Sequence, residues 1–207
     1  MIRHLDPRLL DPRRLDPRRL AGTAAAALAG LAWASPALAH PGHPESGLTA
    51  GLLHPLTGAD HLMAMVMIGL WAGLVAGRAL WVLPASFLAA MLGGFAYGAV
   101  ASTGGHGAEG LIVASLLVLG AAVALRLRAP LAVAAGAAAT FGFAHGVAHG
   151  AESPGGAAAL AFAGGFLVTT AALHALGLLI ARRLPSGWAR ASGLVAAGLG
   201  LVLAGAA

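Results

Sequence analysis

The sequence predicts an all-α fold: a polytopic membrane helix bundle of six transmembrane helices following a secretory signal peptide. Three observations carry that expectation. Hydrophobic residues make up 59% of the 207-residue chain and charged residues only 9%, where a soluble domain holds about 25% charged. Beyond the leader, the chain divides into six apolar runs, each close to the ~20 residues needed to cross a bilayer as a helix. The arginines between those runs fall in alternate gaps, the pattern that sets orientation in a membrane. The 31 glycines and abundant alanine also favour a tight bundle, because small residues let transmembrane helices approach closely.

Residues 1–20 repeat a unit, LDPRx, three times. Proline in every unit breaks helices, and the Asp–Arg alternation is solvated. Residues 20–39 supply an apolar segment ending in Ala37-Leu38-Ala39, which after the basic start reads as a signal peptide. The chain thus divides into a leader, 1–39, and a transmembrane domain, 40–207. Cleavage after Ala39 leaves His40 as the mature N-terminus, outside the cytoplasm. With His43 nearby, His40 is an accessory candidate for capturing a metal.

The expected helices span 48–77, 79–102, 111–127, 130–152, 155–181 and 188–207, with a short loop at 103–110. Pro130 suits a first helical turn. Arg78, Arg126, Arg128, Arg182, Arg183 and Arg190 lie in gaps that should be cytoplasmic. The remaining gaps hold His106 and Glu152 and no arginine. Asp60, Glu109, Glu152 and most histidines therefore fall towards the outer side of a bacterial inner membrane, with both mature termini outside. The net charge of +5 does not signal nucleic acid, because six of twelve basic residues lie in the first twenty positions. The lipid bilayer is the expected partner, and a homo-oligomer is compatible with the composition. Without cysteine, disulfides and thiolate metal sites are excluded. No Walker motif is present, so no nucleotide drives this chain directly.

Two stretches carry the chemistry: HPLTGADHLMAMVM at 54–67 and FGFAHGVAHGAE at 141–152. Imidazoles and carboxylates are costly in lipid and mark function there. His145 and His149 are four apart, on one helical face about 6 Å apart along the axis. Glu152 follows on the same face, as a direct ligand or as a partner for an imidazole N–H. His54 and His61 are seven apart and ~10 Å apart on a straight helix. They share one ion only if the backbone breaks at Pro55 or Gly58; otherwise His54 serves an outer site and Asp60–His61 an inner one. Met63, Met65 and Met67 offer thioethers for soft ions such as Cu(I), although a methionine stripe in a membrane helix ordinarily packs. Two glycine stripes, 142/146/150 and 69/73/77, should seat neighbouring helices. His174 is a candidate second station. His106 and Glu109 are accessory candidates for gathering ions.

His54-Pro55-Leu56-Thr57-Gly58-Ala59-Asp60-His61, followed by Ala64-Met65, resembles the signature of the HupE/UreJ family of hydrogenase and urease accessory permeases. The second block around His145 and His149 and the leader before a His-rich mature start fit that resemblance, which covers 40–207. It implies a nickel permease supplying urease or NiFe-hydrogenase maturation, with metal residues at His54, Asp60, His61, His145 and His149. The LDPRx repeat departs from the family pattern. Chemistry alone leaves Ni(II), Co(II), Zn(II) and Cu(II) open. The competing expectation is an intramembrane metal-dependent hydrolase, with Ser86 or Ser115 assisting.

Overall fold

A computed structural model describes residues 47–101, 106–153, 155–183 and 185–206. The repeat, the signal segment, His40 and His43 lie outside them. Among the described residues there are seven α-helices and no strand: α1 (Gly47–Thr57), α2 (Ala59–Val75), α3 (Ala79–Val100), α4 (His106–Ala124), α5 (Leu131–Ala151), α6 (Ala157–Arg183) and α7 (Ser186–Ala206). Five are each long and apolar enough to cross a membrane. The pair α1–α2 passes as a sixth span, bent by 83°. The protein is a multi-pass membrane protein.

That bend corrects the expectation of one helix over 48–77. Pro55 has no N–H to give the preceding turn, and Gly58 adopts an extended conformation, φ −101° and ψ 120°. In lipid a broken helix is tolerated where side chains and neighbouring helices supply hydrogen bonds. The Thr57 hydroxyl donates to the His54 carbonyl at 2.7 Å, the Leu62 N–H donates to the Gly58 carbonyl at 3.0 Å, and Thr169 in α6 donates to the Leu52 carbonyl at 2.8 Å.

Glycine sets the packing. A Cβ on Gly142, Gly146 or Gly150 would run into the backbone of Phe87, Met91 or Phe95, and one on Gly94 or Gly98 into that of Phe143 or Val147. Contacting residue numbers rise together, so α3 and α5 lie parallel, backbone against backbone. In the same way α1 and α2 run along α6, with Gly51 at Phe162 and Gly69 at His174. Gly120 and Gly193 seat α4 against α7 in antiparallel fashion. Gly77 does not belong to the expected stripe: its φ is +60° and nothing lies within 4 Å of a Cβ there. It forms the turn after α2, a conformation in which glycine alone is unstrained.

The third span also begins and ends earlier than expected. Positions 106–110 are the first turn of α4 rather than a loop, and Glu109 sits there, where the positive end of the helix dipole favours a carboxylate. At the other end Arg126 takes φ 53°. The Leu127 N–H reaches back to the Ala122 carbonyl at 2.8 Å and the Arg126 N–H to Val123 at 3.2 Å. This is the paired reverse bonding that stops a helix. The Trp71 indole donates to the Leu127 carbonyl at 2.9 Å, tying the end of α2 to this segment. Because each span reverses direction, the six arginines of 78–190 fall at one end of the bundle. Asp60, Glu109 and Glu152 fall at the other.

Candidate metal centre

His145 and His149 lie on α5 beside the glycine stripe that seats α3, and both are completely buried. The His145 Nδ1 lies 2.8 Å from the Phe141 carbonyl. A carbonyl only accepts, so Nδ1 carries the proton and Nε2 presents its lone pair. That Nε2, and both ring nitrogens of His149, have no hydrogen-bond partner among the described residues. Buried polar atoms left unmatched cost about 1–3 kcal/mol each. Three such atoms on one helix face mark a place built for a ligand.

The break at Gly58 delivers the first motif to the same place. At the start of α2 Asp60 accepts from the His61 backbone N–H at 2.8 Å and from its Nδ1 at 2.9 Å. The carboxylate thus fixes the proton on Nδ1 and leaves Nε2 as the donor atom, the usual arrangement behind a metal-binding imidazole. The His61 ring centroid lies 5.0 Å from that of His145 and 4.9 Å from that of His149. From α1, the His54 ring lies 4.7 Å from that of His149, and its Nε2 is 3.1 Å from the Glu152 carboxylate. Atoms of His54, His149 and Glu152 all lie within 4.8 Å of one another. Two imidazoles and a carboxylate so placed are a donor set that suits a divalent transition metal.

His149 thus belongs to the group His54–His149–Glu152 and also neighbours the His61 ring, which is backed by Asp60 and lies against His145. The sequence expected Glu152 to hold an imidazole N–H or to bind directly, without saying which imidazole. Its partner is His54 of the other motif, and that hydrogen bond holds the carboxyl below the usual carboxylate range. Glu152 remains largely exposed at 61%, so this end of the cluster is open to solvent.

His174 lies in α6, buried and apart from the cluster, with Phe87 beside it. Glu109 is exposed and does not join the grouped ligands. His106 opens α4. Met65 and Met67 are fully buried, and the Met65 sulfur accepts the Thr170 hydroxyl at 3.3 Å. The sequence reading passed over the aromatic wall. Phe162 packs against His54, Phe166 against His149 and Phe87 against His145. The signal was available, since Phe162, Phe166, Thr170 and His174 recur at four-residue spacing, one face of α6.

Fold and site together define a multi-pass membrane protein with an intramembrane histidine–carboxylate cluster opening at one end. The family model described as HupE / UreJ protein matches residues 26–207, and the chain belongs to that family. It is similar to Protein HupE of Rhizobium leguminosarum bv. viciae, at 38% identity over 142 residues, 69% of this chain and 74% of the relative. No solved structure matches.

Proposed function

We propose that this chain is a permease for a divalent transition metal, nickel first among the candidates, and that it supplies urease or NiFe-hydrogenase maturation. One observation carries the reading: buried imidazole nitrogens of the second motif that lack partners lie against the imidazoles of the distant first motif, at the carboxylate-bearing end of a bundle whose other end carries the arginines. His54, Asp60, His61, His145 and His149 are the proposed metal residues, with Glu152 at the mouth. Imidazole with carboxylate suits Ni(II), Co(II), Zn(II) and Cu(II) alike. Nickel rests on the likeness to the hydrogenase and urease accessory family. The arginine pattern orients the chain in the bacterial inner membrane with the cluster outside, downstream of a cleaved leader at 1–39.

Conduction requires sites that load an ion yet release it. Two partial sites sharing His149 suit that better than one closed cage. The hydrolase alternative has less support. The Ser115 hydroxyl donates to the Ile112 carbonyl at 2.6 Å, a bond within its own helix. Metal uptake into proteoliposomes tests the proposal, comparing nickel, cobalt, zinc and copper. Wild type carries at least one of them, nickel foremost, and His61→Ala and His145→Ala do not. Equal flux in those variants defeats the site assignment.

A further inference from the structure

The column of histidines does not end at His145. It is interrupted by one aromatic ring and then resumes. Phe87 of α3 is completely buried. Its ring centroid lies 5.4 Å from that of His145 and 5.1 Å from that of His174, edge to face at 86°. His174 is only 3% exposed, and neither of its ring nitrogens has a partner among the described residues. Thr170, one turn nearer the outer end, is buried as well, and its hydroxyl donates to the Met65 sulfur. Its oxygen therefore keeps acceptor capacity. An imidazole with both nitrogens idle in a bundle core costs stability. A position serving packing alone would be met as well by leucine.

We propose that His174 is an inner transfer station for the ion and that Phe87 is the gate separating it from the outer cluster. This rests on the permease reading above. The Phe87 backbone is pressed against Gly142, so its main chain is held and any opening between the two imidazoles falls to its side chain. With the ring between the two imidazoles, the polar path is broken. An apolar constriction excludes water and with it protons and hydrated ions. The ring face still attracts a partly dehydrated cation, so a turn of the ring lets the metal pass. Beyond it, one imidazole and a hydroxyl hold an ion more weakly than the cluster above. The ion therefore loads outside, dwells briefly at His174 and moves on.

The test uses the full chain in proteoliposomes, with Co(II) absorption reporting outer binding and Ni(II) reporting uptake. His174→Gln should leave Co(II) affinity within about twofold of wild type while Ni(II) uptake falls about tenfold or more. Phe87→Ala should raise the rate at which an imposed pH gradient collapses by about tenfold, whereas Phe87→Leu, which keeps an apolar plug, should not. If Phe87→Ala does not fold, Phe87→Trp replaces it: the larger plug should lower uptake and leave Co(II) binding intact. Wild-type uptake in His174→Gln overturns the proposal, and so does loss of Co(II) binding together with uptake, because the two stations would then be one. An unchanged pH gradient in folded Phe87→Ala, or unchanged uptake in Phe87→Trp, removes the gate. A wild-type protein that neither binds Co(II) nor carries Ni(II) fails at the permease reading itself, an outcome distinct from each of these.

Discussion

The two histidine blocks solve one problem in opposite ways. In the second block, His145 and His149 sit on a regular helix, α5, with Glu152 as its C-cap, and helical periodicity alone aligns the two histidines. In the first, His54 and His61 sit on either side of an 83° bend, and regular geometry would have kept them apart. Breaking the helix brings both rings to His149, at 4.7 Å and 4.9 Å. A periodic element positions ligands along its own axis; a broken one folds an axial separation back onto a point. The consequence is an asymmetry of weakness. The second block should be sensitive to its packing against α3, and the first to the geometry of Gly58.

The largest effect is expected where the blocks meet. His149 faces His54 and His61 at once, so His149→Ala should lower metal affinity on the order of 100-fold, as measured by titration of the purified protein. Affinity within a few-fold of wild type would separate the blocks. Next comes the support of the second block. A side chain at Gly146 collides with the Met91 carbonyl and the Phe95 amide nitrogen, so Gly146→Leu should destabilise the bundle by about 1–3 kcal/mol, read from thermal unfolding in detergent. The same change at Gly136, where nothing lies within 4 Å, should be near neutral.

A Cβ at Gly58 would lie 2.8 Å from the Asp60 carboxylate and 3.1 Å from the His61 ring. Gly58→Ala should therefore disturb the pair that orients His61 and lower affinity about tenfold, with unfolding little changed. If instead stability falls and affinity holds, the break is structural only. The smallest effect concerns pH. Ligating imidazoles must shed their protons, so affinity should fall as pH drops. Glu152 is held below the usual carboxylate range by its bond from His54. It stays ionised as pH falls, and its charge is lost only below that range. Glu152→Gln should therefore lower affinity a little and leave the midpoint of the pH profile in place. A shifted midpoint would assign the titration to the carboxylate.

Much of this was legible from residues alone, for identifiable reasons. The spans stand out because lipid tolerates only apolar runs, and the pairing of His145 with His149 follows from helical spacing. Gly58 and Pro55 marked a breakable point, but spacing along the chain gave neither the direction of the bend nor the bond from Thr169 of α6 to the Leu52 carbonyl. The Glu152–His54 pair was hidden because its members lie almost a hundred positions apart, and sequence spacing says nothing about neighbours across helices. The early stop of the third span depended on Arg126 taking a left-handed conformation, which arginine seldom does. Phe87 escaped attention because a phenylalanine in a membrane helix looks like packing until two histidines are found on either side of it.

The central claim is that the two blocks grip one cation together, and a double-mutant cycle on metal affinity addresses it most directly. His61→Ala, His145→Ala and the double variant are titrated with Ni(II) alongside wild type. If both rings serve the same ion, the losses should fail to add by at least about 1 kcal/mol, the double variant being little worse than either single one. Losses that simply add, or single variants that bind as wild type does, would mean that the two motifs do not share an ion.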